Sequence, residues 1–565
     1  MTVLNLADRT LARLLPHALL AVAGLAVLAL PVAAQTPGTS PPPVARGLPS
    51  LGDAGDMTTL EERKLGDAII RELYRDPAYL DDPVLGEYVD GIWRALLAGA
   101  RARGELPPEL DERYAWRVLL GRVPTINAFA LPGGYFGLHT GLVGAVTSRD
   151  ELASVLAHEM AHITQRHIPR MLGKQDRQAP LMLAAMVLGA IAASQSPQAG
   201  AALAVGGQAA VIQQQLNFSR DMEREADRIG HGILTQGGFA PEGFVGMFEK
   251  LQAASRIDDN GDWPYLRSHP LTTQRIADMQ QRQQNLGRAS GQAVGHEPLP
   301  GGAKTASVGS SALAPAGGGD LEALLLAGRA RVLGRPGVDV LRAWAGEPAQ
   351  SGFGQLPPGR RAGALYAAAL AQAELRDLAK AQALAGHLAT LVAGDARALQ
   401  QARVLQAELA LQAGQPARAL ELLPAAARPI GDSARNGPVG QSGRALLLLR
   451  AQALTGSGRA AEAAGALQTW VSDHPQDAGA WQALAQAHAA QGRMLRALRA
   501  EGEVQMARMD YAGAVDRWRA AQDYSRTHPG DNADLIEASI VDTRLRTARE
   551  ALRLQREEEE KQKRR

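Results

Sequence analysis

The chain has 565 residues, room for about three or four domains at ~150 residues each. Its 60 Lys plus Arg nearly balance 58 Asp plus Glu, and the formal charge of +2 gives no basic field of the kind that would argue for nucleic acid. With no cysteine, disulfides, thiolate metal sites, thiol catalysis and lipidation at an N-terminal Cys are excluded, so any metal must be held by His, Asp or Glu. Only 4% of residues are aromatic while Ala, Leu, Arg and Gln abound, which predicts a mainly α-helical protein with small-residue packing.

Arg9 and Arg13 precede the apolar run 18–30 (ALLAVAGLAVLAL), and Pro31-Val32-Ala33-Ala34-Gln35 offers small residues to a signal peptidase. Residues 1–34 read as a secretory signal peptide cut after Ala34, which places the protein in the periplasm. The alternative is an uncleaved membrane anchor, for which the run is short against a ~30 Å hydrocarbon core. Residues 35–56 read as a Pro/Gly-rich leader.

Helical patterning runs from about Thr59 to Arg103, followed by a β-like stretch from Trp116 to Leu138 with Gly133-Gly134 as its turn, and helices dominate again from Ser148 to Gln283. Residues 288–319 lack apolar periodicity and read as a linker, 320–554 as a helical domain, and 555–565 as a solvated charged tail. A repeat runs through the second half. Gly458 and Gly492 are 34 apart, as are Ala463 and Ala497, and Gly414 with Ala419 keeps the same offset. Trp481, Leu484 and Ala485 stand where the first helix of a 34-residue unit needs large, large and small residues, and Ala514 marks one more helix. The pattern resembles a tetratricopeptide α-solenoid of about four units after Gln355. A generic Ala-rich helical array is the alternative, and either would expose a concave surface suited to holding another protein.

The chemistry concentrates in LASVLAHEMAHITQRH. Ser148-Arg149-Asp150-Glu151 is a capping-box sequence that starts a helix near Arg149, and Leu152, Val155, Leu156 and Ile163 give that helix a buried face. His158, Glu159 and His162 spell H-E-x-x-H. Imidazoles at i and i+4 share one helix face and can both reach one zinc at ~2.0–2.1 Å, while Glu159 can take a proton from the attacking water and pass it to the leaving amine. Positions 165 and 168 are Gln165 and Ile168, so the extended H-E-x-x-H-x-x-G-x-x-H arrangement is absent. His167 would lie about 140° around a continuous helix from His162 and reads as a polar surface group or a partner behind the ligands.

A third ligand must come from elsewhere, and FSRDMEREADRIG supplies candidates. Glu223 and Asp227 are i, i+4 on a second helix, with Ala226 leaving room for close approach. Glu223 could complete a His2Glu site and Asp227 could hydrogen-bond a ligand imidazole. Spacing alone leaves equally open an exposed acidic face paired with Arg224 and Arg228. Glu225 points elsewhere and reads as a surface charge.

The segments NAFALPGGYFGLHTGL, ELASVLAHEMAHITQRHIPR, FSRDMEREADRIG and SHPLTTQRI, followed by the repeat units, resemble the BepA-like (YfgC-like) periplasmic zinc metalloproteases, relatives of the HtpX and CAAX-prenyl metalloproteases, over nearly the whole mature chain. That resemblance implies a zincin-like (gluzincin) domain with a small β-sheet over 57–287 and one zinc per chain. It implies His158, His162 and Glu223 as ligands, Glu159 as the catalytic base and Asp227 as a catalytic partner that orients an imidazole. It further implies that His269 of the S-H-P loop can take the fourth metal position and hold the enzyme latent; the alternative is a His that merely caps a helix. Clients would be misassembled outer-membrane β-barrel proteins, and the repeat domain would meet the β-barrel assembly machinery. The stretch Ile126–Leu138 would lend an edge strand for an extended substrate. The apolar runs within 181–213 read as a helical hairpin that covers the site or touches a membrane surface. The sequence alone assigns Arg275 no role. Two rivals stand beside this reading: a client-binding chaperone with little proteolysis, and an inner-membrane protease that keeps its first apolar run.

Overall fold

The computed structural model describes residues 57–172, 219–255, 264–292, 320–424, 443–528 and 532–563. The signal-peptide and leader readings, the hairpin at 181–213 and most of the expected linker lie outside the described residues.

The N-terminal part begins with helix α1 (Thr59–Arg75), started by Thr58 and Glu61 exchanging hydrogen bonds with each other's backbone. Strand β1 (Tyr79–Leu80) and helix α2 (Pro83–Arg103) follow; Asp82 caps α2, and Gly104 ends it in the left-handed region at φ +74°. Leu85, Val89, Ile92, Trp93 and Leu96 give α2 a fully buried stripe at helical spacing. After α3 (Pro108–Arg113) come β2 (Arg117–Gly121), β3 (Ala128–Leu131) and β4 (Tyr135–His139). The sheet order is β1-β2-β4-β3, with β2 and β4 parallel and the outer pairs antiparallel. Gly133 and Gly134, both at positive φ, make the β3–β4 turn.

Helices α4 (Thr140–Ala145), α5 (Arg149–Thr164), α6 (His167–Leu172), α7 (Arg220–Gln236), α8 (Glu242–Ser255), α9 (Pro264–Ser268) and α10 (Thr273–Gln292) complete this part. Helix α5 is central: every residue from Glu151 to Thr164 is buried, not only the expected apolar face, because β3, α2, α7 and α8 pack around it. Helix α10 runs to Gln292, five residues into the expected linker.

The second part is a row of helices: α11 (Leu321–Leu333), α12 (Val338–Gly346), α13 (Pro358–Glu374), α14 (Leu378–Leu391), α15 (Ala396–Gln412), α16 (Pro416–Leu422), α17 (Arg444–Gly456), α18 (Ala460–Asp473), α19 (Ala478–Ala490), α20 (Met494–Ala507), α21 (Tyr511–Thr527) and α22 (Asn532–Lys563). Consecutive helices from α13 onward pack in pairs, and tight turns join the first four pairs. Gly414, Gly458 and Gly492 sit in three of these turns, each near φ +70°, where a side chain is strained. Five pairs follow Gln355 among the described residues, one more than expected. The first hides from the glycine pattern because Arg376 takes the left-handed turn position at φ +67°. Trp481, Leu484 and Ala485 are buried between α18 and α20. The tail expected from 555 is helical to Lys563, and its Glu558 lies 3.0 Å from Lys64 of α1.

Buried charge joins the two parts. The Arg329 guanidinium of α11 binds both oxygens of Asp82, the α2 cap, at 2.6–2.9 Å and both oxygens of Glu408 of α15 at 2.7–2.8 Å. Arg444 bridges Asp81 and Asp477, and Glu87 of α2 accepts from the Ala445 amide of α17 at 2.9 Å. Removing Arg329 would leave two carboxylates unmet inside the protein. Arg329→Ala should therefore cost about 3–5 kcal/mol in urea unfolding, and a loss below about 1 kcal/mol would show that the triad does not hold the parts together.

Candidate metal centre

Two helices distant in sequence build the centre. Ser148 caps α5 by accepting from the Glu151 amide at 3.2 Å. The capping is one-sided, because the Glu151 carboxylate turns to the Thr147 amide and to Lys250 instead of the Ser148 amide. Ser219 caps α7 by accepting from the Met222 amide. Glu223, Asp227 and Gly230, at i, i+4 and i+7, share the α7 face turned to α5. A Cβ on Gly230 would stand 2.9 Å from the Ala157 carbonyl and 3.0 Å from the His158 amide, so only bare backbone lets α7 approach at the first imidazole. Ala226 beside it is fully buried, as expected.

The approach brings four donors together. His158, His162, Glu223 and His269 are each no more than 2% exposed. His158 Nε2 lies 3.1 Å from His162 Nε2, 3.4 Å from His269 Nδ1 and 3.5 Å from Glu223 Oε2. Glu223 Oε1 lies 3.4 Å from His162 Nε2 and 2.9 Å from His269 Nδ1. The edges of a tetrahedron about an ion with ~2.0–2.1 Å bonds are about 3.3 Å long. Three imidazole nitrogens and a carboxylate oxygen at this spacing fit a divalent metal better than they fit one another, since converging nitrogen lone pairs repel.

Glu159 stands next to the donors but outside them. Its Oε2 accepts from the Ala130 amide at 3.1 Å, and its Oε1 is 3.3 Å from His269 Nε2. The Asn127 carbonyl accepts from His139 on β4, so antiparallel alternation turns the even-numbered groups of this stretch outward, Ala130 among them. The outer edge of β3 therefore faces Glu159. It is also engaged at Ile126, whose carbonyl accepts from the Tyr265 amide at 3.4 Å, and Tyr265 stacks on His269 with centroids 4.7 Å apart.

Asp227 Oδ1 lies 3.0 Å from His158 Nδ1. Arg275, for which sequence gave no role, is buried and forks onto Asp227 at 2.7 and 2.8 Å while its Nη1 reaches Glu223 Oε2 at 2.7 Å. The carboxylates titrate apart. Burial would raise Glu223, but the three imidazoles around it, His269 foremost, hold it well below the usual range. Burial also opposes Asp227, and Arg275 and His158 still keep it low. For Glu159 burial wins, and its carboxyl is raised. Glu223 and Asp227 are thus held toward the anion, which suits a cation, while Glu159 takes a proton more readily.

Of two expectations here, His167 as a partner behind the ligands holds, though not on a continuous helix, and Glu225 needs correction. His167 is not on a continuous helix with His162: α5 ends at Thr164, Arg166 takes φ +52°, and the buried His167 ring turns back so that its Nδ1 lies 2.9 Å from His162 Nδ1. Glu225, expected to point elsewhere as a surface charge, is half-buried and pairs with His167 Nε2 and Arg170 Nη1, both at 3.0 Å.

Residues 105–283 match the model of peptidase family M48 and include all four clustered donors. That stretch of the chain is similar to the M48 peptidases. A beta-barrel assembly-enhancing protease of Escherichia coli is 33% identical over 256 residues, 44% of this chain and 50% of that protein. A Vibrio cholerae protein described in the same terms is 37% identical over 237 residues, 42% of this chain and 47% of that protein. The mitochondrial metalloendopeptidase OMA1 of Arabidopsis thaliana is 34% identical over 164 residues, 29% of this chain and 31% of that protein. The chain thus spans about half the length of the beta-barrel assembly-enhancing relatives, less than the nearly whole-chain likeness its motifs suggest. A solved tetratricopeptide repeat protein from Parabacteroides merdae covers 54% of this chain and 93% of its own at 14% identity, but a TM-score of 0.19 carries no weight for the fold. Among the described residues no helix is long and apolar enough to cross a membrane.

For this M48-like stretch, Arg275→Ala should destabilise the metal-free protein by about 3–5 kcal/mol in urea unfolding, because it leaves Asp227 and Glu223 facing each other without their shared cation. Saturating zinc should recover part of that loss. An unchanged midpoint without metal would show that Arg275 does not balance the centre.

Proposed function

We propose that this chain is a zinc-dependent endopeptidase of the zincin-like, gluzincin type, with one zinc per chain. In this reading it is exported to the periplasm by a cleaved signal peptide. There it degrades misassembled outer-membrane β-barrel proteins and aids their assembly. The observation that carries the catalytic part is the convergence of His158, His162, Glu223 and His269 beside a buried Glu159 within an M48-like stretch. The names of the E. coli and V. cholerae relatives support the choice of client.

A zinc ion held by His158, His162 and Glu223 supplies Lewis acidity toward a peptide carbonyl and toward water. Glu159, raised by burial and held on the Ala130 amide until a substrate strand takes that amide, accepts the proton of the attacking water and delivers it to the leaving amine. Asp227, itself held by Arg275, orients the His158 ring through Nδ1 and leaves Nε2 as the donor. His269 faces the other three donors with Nδ1 and Glu159 with Nε2, so it would fill the water's position and engage the base together. In this reading the described arrangement is the latent one.

The edge of β3 suits an extended substrate, whose backbone would pair with the outward groups at 126, 128 and 130. Such a strand must displace Tyr265 from Ile126 and the base from Ala130, so entry at the edge and withdrawal of His269 go together in this reading. We read the paired helices from α13 onward as tetratricopeptide-type units that hold clients or the β-barrel assembly machinery.

Glu159→Gln should retain zinc yet lower kcat/KM on an unfolded β-barrel substrate by about 10²–10⁴-fold, and His269→Ala should raise it above wild type. Cleavage that survives Glu159→Gln would contradict the mechanism. No cleavage by either wild type or His269→Ala would favour the chaperone reading.

A further inference from the structure

The two ligand imidazoles of α5 are supported differently. His158 meets a carboxylate directly, through Asp227. His162 meets another imidazole, and the carboxylate stands behind it. The chain of contacts is Glu225 Oε2 to His167 Nε2 at 3.0 Å, then His167 Nδ1 to His162 Nδ1 at 2.9 Å. Both imidazoles are buried, and Arg170 pairs with Glu225 at 3.0 Å.

Two neutral rings joined through their Nδ1 atoms can share one proton in two ways. If His162 carries it, His162 Nε2 keeps its lone pair for an ion, and His167 must carry its own proton on Nε2. If His167 carries it, His162 holds its proton on Nε2, where no ion can bind. In that second arrangement the His167 Nε2 lone pair would face the Glu225 carboxylate at hydrogen-bond distance, which is repulsive. The backbone is built for this contact. Arg166 accepts a left-handed conformation that a non-glycine residue rarely adopts, and its guanidinium is tied to Glu62 and to the Met57 carbonyl, with Glu62 also bound by Tyr114. On an unbroken helix the His167 ring would point away.

We propose that Glu225 and His167 are positioning residues that select the tautomer of His162 able to bind the metal. Arg170 keeps the outer carboxylate in place. The inference rests on the metal reading of the centre for its consequence, but the tautomer it assigns is a property of the metal-free protein too.

The test uses the full chain and zinc alone. By chelator competition, Glu225→Ala and His167→Phe should each raise the zinc Kd about 10–100-fold. His167→Asn, whose amide oxygen can accept from His162 Nδ1, should recover most of that affinity, and adding Glu225→Ala to it should change little further. A merely structural pair would not show this rescue. In ¹⁵N-histidine spectra, with and without zinc, wild-type His167 should be the Nε2–H form and His162 the Nδ1–H form. Unchanged zinc affinity in Glu225→Ala, or His167 found as Nδ1–H, would overturn the proposal. If the wild type binds no zinc, the metal reading fails, while the tautomers still uphold or refute the selection.

Discussion

Three carboxylates, Glu159, Glu223 and Asp227, are buried in one cluster, and the fold depends on their charge being met there. An uncompensated buried carboxylate costs several kcal/mol, so the centre is above all a problem of charge balance. Arg275 answers for Asp227 and part of Glu223, and the imidazoles answer for the rest. The solution demands that α7 lie against α5 with no side chain between them, which Gly230 and Ala226 permit. The same demand explains why α5 is buried all round: it carries the imidazoles to the middle of the domain.

The supports of the centre reach outward in layers. Helix α2 packs against both α5 and α7, and its N-terminal part is held by the Arg329 triad and by the contact of its Glu87 with Ala445 of α17. The helical row is thereby fixed to the same helix that backs the centre. On the other side, the short segment of α9 carries Tyr265 against the β3 edge and His269 against the donors. In the proposed function these two contacts make one gate, because a strand pairing with β3 and a water reaching the donors both need that segment moved.

Much of this was legible in the sequence because local rules and chemistry agreed. H-E-x-x-H on a capped helix placed three groups on α5, and the glycine-alanine offsets located the turns at Gly414, Gly458 and Gly492. What escaped notice was decided by tertiary context. Arg275 carries no motif of its own, and only folding brings it to Asp227. Gly230 was readable as the i+7 member of the Glu223 face, but nothing local says that another helix lies there. The reversal at Arg166 was hidden because Q-R-H continues a helical pattern, while Glu62 and the Met57 carbonyl impose the turn from far away. Arg376 hid a repeat turn for a similar reason, holding a conformation that glycine usually signals.

In the proposed function two helices present their donors to one ion at tetrahedral spacing. Zinc K-edge X-ray absorption on the zinc-loaded protein tests it directly. The expected result is four nitrogen or oxygen neighbours at about 2.0–2.1 Å with the multiple scattering of three imidazoles, falling to two imidazoles in His269→Ala. A six-coordinate oxygen shell with one imidazole or none would contradict it.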